Sequence, residues 1–181
     1  MKTLTLLRHA KSTWDDPVAR DFDRPLNRRG KKAARTVGAE MRAQGLAFDR
    51  IVASPATRVV ETLAEVAEGY GRPLAAEYDR RVYLASADAL LELVRDTKGG
   101  VERLLLVGHN PGLEGLALLV TRERDDPLRG EIAVKYPTGT LAEISLPVDR
   151  WRDVGPGGGR IARFIRPRDL DPELGPDEDT Y

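Results

Sequence analysis

A chain of 181 residues is long enough for one domain with a substantial core, and its 41% hydrophobic and 32% charged residues match an ordinary globular composition. The formal net charge is zero, which gives no electrostatic ground for nucleic acid or a membrane surface as partner, and no apolar run approaches the roughly 18 residues of a spanning helix. There is no cysteine, which excludes disulfides, thiolate zinc sites and cysteine-based nucleophilic chemistry, and the two histidines, His9 and His109, are the side chains whose ordinary pKa lies near neutrality, so a group that titrates there is expected to be one of them.

Residues 2–7 form a short apolar run and read as a buried strand. The segment Met1–Leu7 is too short and too soon charged for a secretion signal, so a cytoplasmic location is expected. Residues 28–44 read as a helix capped by Asn27, with Ala33, Val37 and Met41 on one face and Gly45 as the stop. Asp49–Ala53 reads as a second strand. Ser54-Pro55 then resembles a helix start, Ser as N-cap and Pro at the first helical position, continued by Val59, Leu63 and Val66 towards Gly69. Residues 74–78 suit an edge strand, and Ser86–Thr97 a helix with Leu90, Leu91 and Val94 inward. Arg103–Val107 is the clearest buried strand, running into Gly108-His109-Asn110-Pro111, a further cap-plus-Pro helix start. Thr138–Leu146 and Arg160–Ile165 read as strands joined through the Gly-rich turn at residues 155–159, an antiparallel edge. Strands alternating with helices predict an α/β domain with a largely parallel sheet over residues 1–166. Residues 167–181 are acidic and Pro-rich, which predicts a mobile tail.

Three of these strands end in residues able to do chemistry. The first delivers Arg8-His9, the second Ser54-Pro55-Ala56-Thr57-Arg58, and the third Gly108-His109-Asn110-Pro111. In open α/β sheets, sites form beyond the carboxyl ends of strands, and helix N-termini there favour anions. Arg forks hold phosphoryl oxygens in charge-assisted, bidentate geometry, and a neutral imidazole is a nucleophile near pH 7 without metal activation. Attack on phosphorus would give a covalent phosphohistidine that water then hydrolyses. Taken singly, Arg8-His9 after a strand, Arg58 on a helix or His109 in a loop would be unremarkable. Both histidines falling at strand ends beside two arginines is not.

The motifs Leu6-Leu7-Arg8-His9-Ala10, Ser54-Pro55-Ala56-Thr57-Arg58 with Glu61-Thr62, and Gly108-His109-Asn110-Pro111 resemble those of the histidine phosphatase, or phosphoglycerate mutase-like, superfamily. The resemblance covers roughly residues 2–146, with Ala10 where most members have Gly. Lys11-Ser12-Thr13-Trp14, the stretch Asp21–Gly30, and Val82-Tyr83-Leu84-Ala85-Ser86 are similar to its small SixA-like branch, described as protein phosphohistidine phosphatases. The resemblance implies a three-layer α/β/α sandwich, His9 as nucleophile, and Arg8, Arg58 and His109 as the phosphate pocket. Ser12, Asn27 and Asn110 join these as candidate substrate-binding residues. Where many members carry a proton-donating acid after the third strand, this chain reads Glu77-Tyr78-Asp79-Arg80-Arg81, with an Arg at the aligned position. Asp79, Glu77, Asp16 and Asp23 are the candidate substitutes, although each taken singly reads more as a solvated surface carboxylate than as the acid. The missing acid disfavours alkyl phosphates, whose alkoxides need a proton, more than phosphohistidine, whose imidazole leaves readily once its second ring nitrogen has been protonated from solvent.

Gly155-Pro156-Gly157-Gly158-Gly159 lacks the Lys-Ser/Thr of a phosphate-binding loop and reads as a turn. Neither histidine has a partner at metal-ligand spacing, so no metal or cofactor is called for. Trp14 and Tyr83 suit either the mouth of the crevice or ordinary packing. No large insertion is present to close over a substrate as mutase chemistry would require. The leading expectation is a metal-independent phosphohistidine (phosphoprotein) phosphatase, acting as a monomer or weak dimer. The alternatives are a phosphomonoesterase acting on a small phosphorylated metabolite and a non-catalytic module that binds phospho-ligands.

Overall fold

The computed structural model describes residues 1–17, 20–124 and 126–175. Six strands form one mixed sheet: β1 (Lys2–Arg8), β2 (Arg50–Ala53), β3 (Glu77–Tyr78), β4 (Arg103–Gly108), β5 (Leu141–Leu146) and β6 (Arg160–Ile165), in the order β3-β2-β4-β1-β5-β6. β3, β2, β4 and β1 run parallel, and β5 and β6 add the antiparallel edge. The central strands are apolar on both faces, as buried parallel strands must be. Leu4, Leu6, Val52, Leu104 and Leu106 face one core, whereas Leu7, Ile51, Ala53, Leu105 and Val107 face the other. Helices α1 (Arg28–Ala43) and α2 (Thr57–Tyr70) cover the second face, and α3 (Ala87–Arg95), α4 (Gly112–Val120) and α5 (Pro127–Val134) the first. The result is the expected three-layer α/β/α sandwich.

Local chemistry sets most of the boundaries. Asn27 caps α1 by accepting from Gly30 N at 2.8 Å, and Ser86 caps α3 by accepting from Ala89 N at 3.2 Å. Gly71, at φ 82°, supplies the left-handed turn that ends α2. Ser54 does not cap α2. The helix starts later, at Thr57, with no side-chain cap on Ala56; the Ser54 hydroxyl instead accepts from Ala56 N at 3.3 Å, in the turn before the helix, and lies 2.7 Å from His109 Nε2. α4 likewise begins at Gly112, and Asn110 Oδ1 accepts from Glu114 N at 3.2 Å. The unanticipated α5 is capped by Asp126, which accepts from Arg129 N at 3.2 Å, with Pro127 in its first turn.

The segment expected to be mobile from residue 167 is, as far as residue 175, built onto α1. It forms α6 (Pro167–Leu170) and a 3-10 turn at Pro172–Leu174. Lys32 reaches Asp171 and Glu173 at 3.2 and 3.0 Å, and Arg29 donates to the Gly175 carbonyl. Residues 176–181 lie outside the described residues.

α1 and α2 approach each other through glycines. A Cβ on Gly38 would stand 2.1 Å from the Val66 carbonyl oxygen, and one on Gly69 2.0 Å from that of Arg35. Both obstacles are helix backbone. Gly38→Ala is therefore expected to destabilise the fold by about 2–3 kcal/mol, the overpacking cost exceeding the ~1 kcal/mol gain in helix propensity. Gly130→Ala in α5, where a Cβ meets nothing within 4 Å, should instead stabilise by up to ~1 kcal/mol. Thermal denaturation of the two variants checks the opposite signs.

Candidate active site

The strand ends identified from sequence are laced together by backbone bonds. His9 N donates to Gly108 O at 3.1 Å, and Ser54 N to Val107 O at 3.0 Å. Gly139 N donates to His9 O at 2.9 Å, and Arg8 N to Thr140 O at 3.0 Å, tying the start of β5 to the same corner. β1 and β4 are neighbours whose following helices lie on opposite faces of the sheet, the switch point at which a crevice opens.

His9, Arg58 and His109 are buried there, and the two imidazoles lie 5.4 Å apart. His9 Nδ1 lies 2.7 Å from the Ala10 carbonyl. A carbonyl only accepts, so Nδ1 carries the proton and Nε2 keeps its lone pair. Burial, aided by the charges of Arg8 and Arg58, lowers the His9 pKa to about 3. His109 is fixed by the same logic. Arg58 Nη2 donates to its Nδ1 at 3.2 Å, so Nε2 carries the hydrogen and donates to Ser54 Oγ at 2.7 Å. Burial and the Arg58 charge lower its pKa to about 4, with Asp21 opposing. Both rings are neutral at pH 7. Their protonated forms would be desolvated beside guanidinium groups.

Arg8 donates from Nη1 to the Tyr136 carbonyl at 2.9 Å. Asn110 Nδ2 donates to that same oxygen at 3.0 Å, so Asn110 holds the wall of the pocket. The Nε atoms of Arg8 and Arg58 are buried with no hydrogen-bond partner among the described residues. Buried donors of this kind are costly unless a ligand engages the group.

The prominent carboxylate was not singled out from sequence. Asp21, in a 3-10 turn Asp21–Asp23, accepts from Arg58 Nη2 at 3.1 Å and from the Tyr83 hydroxyl at 2.6 Å. Its backbone carbonyl accepts from Arg58 Nη1 at 2.7 Å, and Arg24 pairs with its other oxygen at 3.0 Å. Burial raises its pKa, but the bonds from Tyr83 and Arg24 and the Arg58 charge prevail and hold it at about 2. Asp21 is thus ionised. Its place in the stretch Asp21-Phe22-Asp23-Arg24 was the available signal.

The four expected acids lie differently. Glu77 is engaged by Arg50 and Asp79 by Arg81, and these partners lower both pKa values. Asp23 bonds Arg20 at 2.7 Å. Asp16 is exposed, on the loop between β1 and α1. None of the hydrogen bonds or ion pairs made by Glu77, Asp79 or Asp23 is to a histidine or to Arg8 or Arg58. Ser12 accepts from Arg24 Nη1 at 2.6 Å, and Asn27 is spent on capping α1. Both shape the loop over the pocket. That loop is pinned by Glu61, which accepts from Leu26 N at 2.7 Å, and by Thr62, which accepts from Ala10 N at 2.9 Å. Tyr83 stacks edge-on with His109 at 5.4 Å, and Trp14 lies over Arg24 at 3.5 Å. Among the described residues, no group of three or more His, Asp or Glu gathers as a metal site.

Known proteins resemble this chain in sequence and fold. The model of the histidine phosphatase superfamily (branch 1) matches residues 4–82. An uncharacterized protein of Mycobacterium tuberculosis is 35% identical over 164 residues, 90% of this chain and 100% of its own. Among solved structures, a candidate phosphohistidine phosphatase SixA from Nakamurella multipartitia is 28% identical at TM-score 0.78, over 92% of this chain and 96% of that one. A protein histidine phosphatase SixA complexed with tungstate shares the fold, at 22% identity and TM-score 0.75, over 93% of this chain and 99% of its own. Among the described residues, no helix is long and apolar enough to cross a membrane.

Proposed function

Because the chain belongs to the histidine phosphatase superfamily, in its SixA-like branch, we propose that it is a phosphatase of phosphohistidine in proteins that works through His9 without a metal. The observation that carries the reading is the fixed tautomer of His9. With Nδ1–H bound to the Ala10 carbonyl, the Nε2 lone pair is available to attack phosphorus. Nε2 forms a bond to phosphorus as the substrate's P–N bond breaks, and the departing imidazole leaves as the neutral, protonated ring. Water then attacks the phosphoryl group on His9, the P–Nε2 bond breaks, and phosphate departs. Arg8 and Arg58 hold the non-bridging oxygens through both steps, and each charge-assisted donor aimed at the transition state contributes about 3–4 kcal/mol.

The substrate class follows from the acid. Asp21, which touches Arg58, is held ionised and is no proton donor. Alkoxide leaving groups need such a donor, whereas a phosphohistidine ring carries its own proton on the second nitrogen. Turnover of phosphohistidine protein, aryl phosphate and sugar phosphates, each with EDTA present, tests the reading. Phosphohistidine should be hydrolysed fastest and EDTA should leave the rate unchanged. A preference for sugar phosphates, or strict metal dependence, would refute it.

A further inference from the structure

Beside the phosphate pocket lies a second concavity of about 250 Å³ whose lining, among the described residues, includes Arg8, Lys11, Arg29, Lys135, Arg166 and Arg168 and no carboxylate. In a chain of zero net charge, six cations around one cavity form a local positive field, and concave walls concentrate it. Part of that charge is answered internally. Arg166 pairs with Asp169 and Glu131, and Arg29 is bonded to the Gly175 carbonyl. Lys135, just after α5, and Arg168, in α6, are exposed and make no ion pair among the described residues. Arg8 belongs to both cavities. One of its donors is on the Tyr136 carbonyl, and its Nε is buried with no partner. A group seated in the bay is therefore contiguous with the phosphoryl group through a single guanidinium.

We propose that this bay is a second anion subsite, which seats an acidic side chain flanking the phosphorylated histidine of the protein substrate; the inference rests on the phosphohistidine reading above. Lys135 and Arg168 supply the long-range attraction and Arg8 bridges the two anions. The bay thus discriminates between phosphohistidines by their neighbours, while the chemistry stays at His9.

Two phosphohistidine peptides, one with Asp and Glu beside the phosphohistidine and one with Asn and Gln there, test this against the double variant Lys135→Gln/Arg168→Gln. The parent protein should show a KM about tenfold lower for the acidic peptide, with kcat alike, and the difference should shrink with added salt. The double variant should lose the preference while hydrolysing free phosphohistidine at the parent rate. Equal KM values in the parent, or a preference that survives in the double variant, would overturn the proposal. If the parent fails on free phosphohistidine, the phosphatase reading is what fails. Calorimetric binding of the same peptides with a phosphonate mimic then decides the bay, an acidic preference supporting it and equal binding overturning it.

Discussion

His9→Ala is expected to lower phosphohistidine turnover by about 10⁴-fold or more, because removing a nucleophile costs far more than removing a residue that orients it. The loss should be chemical and not structural. The His9 backbone N–H still donates to Gly108 O, and the vacated space borders a pocket, so thermal stability should fall only modestly. Phosphate binding should survive, since Arg8, Arg58 and His109 remain. With the parent protein and radiolabelled substrate, quenching in alkali should trap a protein-bound phosphoryl group that is lost in acid, the behaviour of a phosphoramidate. The label should map to the peptide containing His9 and be absent from His9→Ala. Normal turnover in the variant would remove His9 from the mechanism.

Arg58→Ala should lower kcat/KM by about 10²–10³-fold, the scale measured when one preorganised donor is removed from a developing negative charge. Arg58→Lys should recover only a small part, since an ammonium cannot place two parallel N–H groups. A second readout separates this role from a structural one. Arg58 donates to His109 Nδ1, and its charge is a leading reason, after burial, that the His109 pKa lies at about 4. Removing the guanidinium should raise the pKa of His109 towards the ordinary histidine range, visible by NMR titration of the chain's two imidazoles. An unmoved His109 titration would show that Arg58 does not sit where the pocket requires.

The parts of the site legible in sequence were those whose position depends on strand ends alone. Arg8-His9 and Gly108-His109 end buried apolar runs, and the pleat of a parallel sheet brings such ends together whatever the loops do. The sandwich itself was legible for the same reason, since helical and strand periodicities alternate cleanly up to residue 120. What sequence concealed depends on side chains meeting across loops. Ser54 before Pro55 has the composition of a helix cap, but its hydroxyl bonds His109 and the Ala56 N–H, in the turn before the helix begins at Thr57. Asp21 is one acid among several in its loop. The packing of Phe22 on Tyr83, at 5.0 Å, and the pinning of the loop by Glu61 and Thr62 turn it inward. Residues 167–175 read as a tail because few are apolar, yet Pro167 is buried and ion pairs with α1 hold the rest.

Asp21 also changes what it means for phosphate to enter. The guanidinium that should clamp the substrate is already clamped by a carboxylate, which Tyr83 and Arg24 hold in place. Loading is thus an exchange of one anion for another. A stray carboxylate from solution competes on equal charge with a tethered rival at high effective concentration, and loses. A doubly charged phosphoryl group, gripped by Arg8 as well under the proposed mechanism, would win the contest. Once inorganic phosphate has formed, the displaced carboxylate remains on its short leash, ready to reclaim Arg58. On the proposed mechanism the pocket would carry its own eluent, and turnover would end with the protein displacing its product.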